Sequence, residues 1–253
     1  MNLKGNHEIL IAAHRGDSIH RPENTMQAFE AAAALGVDMI ETDIHRTADG
    51  ALVLMHDHTV DRTTDGHGLI REMTLAQIRQ LNAGTAECPA RVPLLRELLE
   101  LTAATPGLLL DLEIKTYLAD EGPDRVEQTL RDTDALCREF GLEGRVLLNS
   151  FDAWVLERAA ALFGKRYYLH GYYPYTHMQN VRADPATYLD YACYWASGEE
   201  ARQACEFLTA HGMAPCTGSH TGQAAFREAA ALGCAMFTEN DPAEVMTFRD
   251  ALR

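Results

Sequence analysis

The sequence lacks any apolar run approaching the roughly 18 residues of a membrane span, so no transmembrane helix is expected. Its amino terminus, Met1 to Glu8, is polar, and the Ile9–Ala13 stretch that follows is too short for a signal-peptide core. Cysteine is sparse: Cys88, Cys137, Cys193, Cys205, Cys216 and Cys234 are scattered, with no Cys-x-x-Cys pair. Without a secretion signal they read as reduced core residues of a cytoplasmic protein. Positive charge is also scarce, with 22 Lys and Arg against 37 Asp and Glu, a formal net charge of −15. This argues against nucleic acid or an anionic membrane as partner, since both demand a basic face. It also constrains any anionic substrate, which must find its own local cations: arginine, lysine or a divalent metal. There is no repeat at a period of 20–50 residues and no low-complexity linker, so the chain 1–253 reads as a single domain.

What is present suits one α/β barrel, for which 253 residues is a normal length against the usual figure of about 250. A hydrophobic share of 47% and a charged share of 23% fit a globular chain with a large core. Short aliphatic runs alternate with helical patterns, the mark of βα units on a parallel sheet. The strands read as Ile9–Ala13, Asp38–Ile44, Leu108–Ile114, Val146–Asn149, Tyr167–His170, Tyr191–Ala196, Ala214–Thr217 and Cys234–Thr238. Helices are expected after the first strand and over about 121–140, 152–163, 198–211, 221–232 and 242–250. For the first helix, Asn24 is read as the N-cap with Gln27 completing a capping box, and Gly36 closes it.

One segment breaks the alternation. Ala51–His56 is strand-like, but only a few residues, including Asp49-Gly50, separate it from the second strand. A parallel crossover needs about a dozen residues, whereas a short Gly-containing loop makes a hairpin. Leu52–Met55 therefore returns antiparallel and brings His56 back to the barrel mouth, near Glu41 and Asp43. Residues 58–107 then form an insertion of turns and short helices (Thr74–Leu81, Leu94–Ala103) over the end where barrel active sites lie.

Polar residues cluster at the strand ends. His14-Arg15-Gly16 follows the first strand, and Glu41 and Asp43, two apart on the second, share one face. The same alternation puts Asp111, Glu113 and Lys115 together on the third. Inward carboxylates from neighbouring strands are unfavourable unless something positive joins them. An all-carboxylate set favours a hard divalent cation, Mg²⁺ or Ca²⁺, over zinc.

The runs His14-Arg15-Gly16, Pro22-Glu23-Asn24-Thr25, Glu41-Thr42-Asp43, His56-Asp57 and Leu112-Glu113-Ile114-Lys115 resemble the signature series of the glycerophosphodiester phosphodiesterase family. Asp61-Arg62-Thr63-Thr64-Asp65-Gly66, Ser150-Phe151-Asp152 and Thr238-Glu239-Asn240-Asp241-Pro242 extend the likeness over nearly the whole chain, in order. The resemblance implies a (β/α)8 barrel in which Glu41, Asp43 and Glu113 hold the metal. The same likeness implies that His14 and His56 act as acid and base and that Arg15 and Lys115 contact the phosphate. It further implies hydrolysis of glycerophosphodiesters, with one divalent cation as cofactor, to glycerol 3-phosphate and an alcohol. Attack by water and attack by a neighbouring glycerol hydroxyl both remain open, as does the oligomeric state. Family members usually carry Trp-Thr near the end of the penultimate strand. This chain has Pro215-Cys216-Thr217-Gly218-Ser219-His220 there, with Trp195 as a candidate to fill the space.

Plainer readings compete at several positions. Asn24 is read as a helix cap rather than a ligand, and His58, His67, His170 and His220 as non-catalytic. The stretch Tyr167–Tyr175 is read as packing, with a substrate wall as the alternative. Two other functions are weighed: a zinc-dependent amidohydrolase-type enzyme, prompted by His56-Asp57-His58, and a phosphodiester-binding barrel without catalysis.

Overall fold

Strands rich in Leu, Ile and Val and buried on both faces demand cover on both sides, which a closed barrel ringed by helices provides. The computed structural model, which describes residues 3, 7–218 and 222–252, has this architecture. The barrel strands are β1 (Leu10–His14), β2 (Met39–Arg46), β4 (Leu109–Ile114), β5 (Val146–Asn149), β6 (Tyr168–Tyr172), β7 (Tyr191–Cys193), β8 (Ala214–Gly218) and β9 (Met236–Glu239). They pair in parallel in the order β1-β9-β8-β7-β6-β5-β4-β2, and a β1–β2 pairing closes the ring. The remaining strand, β3 (Leu52–Leu54), runs antiparallel on β2 with His45 opposite Val53, the hairpin that its short connection requires.

Helices α1 (Met26–Leu35), α3 (Leu95–Ala104), α4 (Leu118–Glu139), α5 (Ala153–Phe163), α6 (Gly198–Ala210), α7 (Gln223–Ala231) and α8 (Pro242–Asp250) follow the strands, with a short α2 (Leu75–Ile78) in the insertion. Alternation on β3 splits its side chains. Leu52 and Leu54 join the main core, while Val53 packs with Met55, Val60, Ile70, Ile78, Ala83 and Val92 in a smaller one. The insertion at 58–107 thus has an apolar centre of its own, resting on the return strand.

Two expectations need correcting. The N-cap of α1 is Thr25, whose hydroxyl accepts from the Ala28 N–H, and Gly36 closes the helix in the left-handed conformation as expected. Asn24 instead has φ 54°, a conformation Asn tolerates because its short side chain bonds locally, and that side chain turns into the barrel mouth. Helix α4 begins at Leu118 rather than 121, because a first turn precedes a kink at Gly122 (φ 77°, ψ 165°) and Pro123 restarts the helix. Among the described residues no helix is long and apolar enough to cross a membrane.

Candidate active site

Register brings the acids together. Along the β2–β4 pairing Glu41 lies opposite Asp111 and Asp43 opposite Glu113, while His14 at the end of β1 is level with Glu41. Oxygens of Glu41, Asp43 and Glu113, all buried, lie within 4.8 Å of one another. Burial raises the pKa of Glu41 well above the carboxylate range, and the charges of Asp43 and Glu113 raise it further. Burial also raises Glu113, against the opposing pull of Lys115. Asp43 faces the same desolvation, yet its pKa is lowered because Lys115, His56 and Arg15 surround it. Lys115 Nζ donates to Glu113 Oε1 at 2.5 Å and lies 3.1 Å from Asp43 Oδ1. Asp43 Oδ1 is buried, with this ion pair but no well-aligned hydrogen bond. Three desolvated carboxylates, only two of which share the lysine, fit a hard divalent cation.

Two imidazoles flank the acids. His14 Nδ1 is 2.6 Å from Asn240 Oδ1, an amide oxygen that accepts only, so Nδ1 carries a proton and Nε2, 3.9 Å from Glu41 Oε2, is left for chemistry. Burial lowers the His14 pKa, and the Arg15 charge lowers it further. His56 Nδ1 is 2.7 Å from the carboxylate of Asp57. The backbone of His56 is held in turn by His45, whose Nε2 is 3.3 Å from the His56 carbonyl oxygen. Burial, with His58 alongside, pushes the pKa of His45 down to about 3, so its ring is neutral.

A continuous chain of ion pairs ties these groups down. Arg15 Nη1 donates to Glu23 Oε1 at 2.9 Å, and Arg62 holds both Glu23 oxygens at 2.7 and 2.9 Å. Arg62 also donates to both oxygens of Asp57, at 2.7 and 3.0 Å, and Asp57 holds His56. Arg15 Nε, 3.6 Å from Asp43 Oδ2, is buried without an acceptor. Asn24 completes the support: its Nδ2 donates to Asp43 Oδ2 at 2.8 Å and its Oδ1 accepts from Thr42 at 2.7 Å.

These groups open onto a cavity of about 240 Å³ lined by His14, Arg15, Glu41, His56 and Glu113 among others. A family sequence model, "Glycerophosphoryl diester phosphodiesterase family", matches residues 14–252. The chain belongs to that family. Its curated relatives include a glycerophosphodiester phosphodiesterase of Caldanaerobacter subterraneus subsp. tengcongensis, 40% identical over 58% of this chain and 60% of the relative. Another, from Bacillus altitudinis, is 35% identical over 56% of this chain and 57% of its own length. The chain thus spans less than two thirds of each. Among solved structures, a glycerophosphodiester phosphodiesterase of Agrobacterium tumefaciens superposes with TM-score 0.74 at 22% identity, covering 94% of this chain and 99% of the other. An Oleispira antarctica phosphodiesterase, solved in complex with the product sn-glycerol-3-phosphate, gives 0.77 at 23%, covering 95% and 96%. At such identities the likeness carries the fold.

Within this barrel, the sequence-derived residues His14, Arg15, Glu41, Asp43, His56, Glu113 and Lys115 all fall at one mouth. The His56/His58 zinc pair does not form there. The His58 ring lies edge-on to His45 and Tyr117, with centroids 5.0 and 5.3 Å away, and the clustered ligand set among the described residues is the acidic trio. Trp195 stacks on Tyr172 at 5.3 Å, and Tyr172 on Phe151 at 3.6 Å, all three lining the cavity. Of the tyrosine stretch, Tyr172 therefore belongs to the site, while Tyr173 and Tyr175 pack on Phe207. Ser219 and His220 lie outside the described residues. Sequence reasoning gave no role to Asn240, Arg62 or His45. Asn240 and Arg62 sit within the motif runs, whereas His45 had only its inward parity on β2 to signal it.

Proposed function

We propose that this protein hydrolyses small glycerophosphodiesters, such as glycerophosphocholine or glycerophosphoethanolamine, to glycerol 3-phosphate and an alcohol. The observation that carries this reading is the convergence of Glu41, Asp43 and Glu113 within 4.8 Å beside two imidazoles oriented by their Nδ1 partners. Family membership and the sn-glycerol-3-phosphate complex of the Oleispira phosphodiesterase support the substrate class.

Glu41, Asp43 and Glu113 would hold one divalent cation, Mg²⁺ or Ca²⁺, which supplies Lewis-acid stabilisation of charge on the phosphoryl oxygens. The unmatched Nε–H of Arg15 and the donors of Lys115 not taken by Glu113 are the protein's own contacts for those oxygens. His56, oriented by the Asp57 carboxylate on its Nδ1, delivers a proton to the leaving alcohol. His14, held by a neutral amide, accepts one from the nucleophile. The stacked Trp195, which lines the cavity, takes the part against the substrate that the resemblance gives to a Trp on the following strand. We read the chain 1–253 as one domain with residues 58–107 as its cap, and its location as cytoplasmic, which fits six cysteines that are all unpaired.

The test is a panel of glycerophosphodiesters assayed with Mg²⁺, Ca²⁺ and Zn²⁺, with product identification. Chelation is expected to abolish turnover, Mg²⁺ or Ca²⁺ to restore it, and glycerol 3-phosphate to appear. Undiminished turnover of a Glu41→Gln/Asp43→Asn/Glu113→Gln variant would sink the metal assignment.

A further inference from the structure

On the side of the cavity away from His14, three neighbouring strands present polar atoms that the proposed chemistry leaves unused. Asp111 on β4, Asn149 on β5 and His170 on β6 all line the cavity and are almost fully buried. His170 Nδ1 lies 2.8 Å from Asp111 Oδ2. Yet His170 Nε2, Asp111 Oδ1 and Asn149 Oδ1 each lack a hydrogen-bond partner. Buried polar atoms without partners are rare and unfavourable, and three on adjoining strands of one cavity mark a surface shaped for something absent.

The chemistry of that partner follows from the atoms. Two are oxygens that only accept, so the partner must donate. The third is an acceptor when Asp111 takes the Nδ1 proton of a neutral ring, and a donor when the ring is charged. A pair of neighbouring hydroxyls satisfies them, because each donates one proton and can also accept. A quaternary ammonium, an alkyl chain or an ester oxygen offers no donor.

We propose that Asp111, Asn149 and His170 form a polyol subsite that binds the free hydroxyls of the glycerol arm, with His170 Nε2 as its central contact. This rests on the phosphodiesterase reading and fixes the orientation of the substrate within it. The glycerol arm lies over β4–β6, and the headgroup alcohol points elsewhere. His170, read from the sequence as non-catalytic, is thereby a specificity residue held in place by Asp111.

Isothermal titration of the Mg²⁺-loaded protein with sn-glycerol 3-phosphate and with n-propyl phosphate tests this without turnover. The two ligands differ only in the hydroxyls. Wild type is expected to favour glycerol 3-phosphate by about tenfold, the value of one or two net hydrogen bonds. His170→Leu should bring the two affinities together by weakening glycerol 3-phosphate alone. Asp111→Asn/His170→Leu, which leaves no unpaired buried carboxylate, should do the same if the single variant folds poorly. A wild type with no preference, or variants that keep it, overturns the subsite alone if diester turnover is intact. Failure to bind either phosphate overturns both the subsite and the reading beneath it.

Discussion

At the scale of single residues, the two histidines differ in what holds them, and this separates their roles experimentally. His56 leans on the Asp57 carboxylate and His14 on the Asn240 amide. Replacing either by Ala should lower turnover of a glycerophosphodiester with an alkyl alcohol by roughly 10²–10⁴-fold, with the circular dichroism spectrum unchanged. A p-nitrophenyl ester leaves without protonation, so His56→Ala should spare its hydrolysis while His14→Ala should not. Equal losses for both esters in both variants would refute the assignment. Asn24 shows how a residue-level reading goes astray. Its type and position suited an N-cap, but the neighbouring Thr25 took that place and freed Asn24 to bond Thr42 and Asp43. Nothing in a local pattern distinguishes two adjacent capping residues, because the choice depends on a strand that packs above them.

At the scale of elements, Arg62 joins the insertion to the barrel. It grips Glu23 from the β1–α1 loop and Asp57 from the end of the return strand, so the arginine and the histidine of the site share one brace. The Arg62 hydrogen bonds hold the Asp57 carboxyl below its usual range against desolvation. Burial pushes Glu23 the other way, but Arg62 and Arg15 outweigh it and its pKa is lowered too. Acids with depressed folded pKa values contribute their stability above the ordinary carboxylate range of about 4 and lose it as pH falls through the depressed values. The brace is therefore complete at neutral and mildly acidic pH. Arg62→Ala should reduce kcat by up to about 10²-fold through misplacement of His56 and Arg15, with the deficit constant between neutral and mildly acidic pH. A variant as active as wild type would show that the brace is only structural. The hairpin, the eight parallel strands and the insertion were legible from connection lengths and alternation. The brace was not, since its members are 39 and 5 residues apart and meet only once the insertion folds back.

For the whole molecule, the charge of −15 sets a long-range field that the site must overcome locally. A net-anionic diester such as glycerophosphoglycerol is repelled on approach, whereas zwitterionic glycerophosphocholine is not. Raising the salt concentration shortens the Debye length from roughly 30 Å at 0.01 M to about 8 Å at 0.15 M. It should therefore raise kcat/KM for the anionic diester and leave the zwitterionic one nearly flat, measured at fixed divalent cation. A fall for the anionic diester would mean that local cations dominate the encounter.

The sequence by itself determined the barrel, its return strand and the inward carboxylates Glu41, Asp43, Asp111 and Glu113, because each follows from short-range rules: the two-residue period of strands, the length a crossover needs, and the aversion of inward carboxylates to isolation. The family resemblance alone singled out Glu41, Asp43 and Glu113 among the four. Only the tertiary structure decided what lies between those residues. Asn240 against His14, Arg62 between Glu23 and Asp57, and the Asp111–His170 pair in the cavity wall all arise from closure of the sheet and folding of the insertion. Hydrogen bonds act over about 3 Å, and which side chains come that close is set by register and closure around the ring.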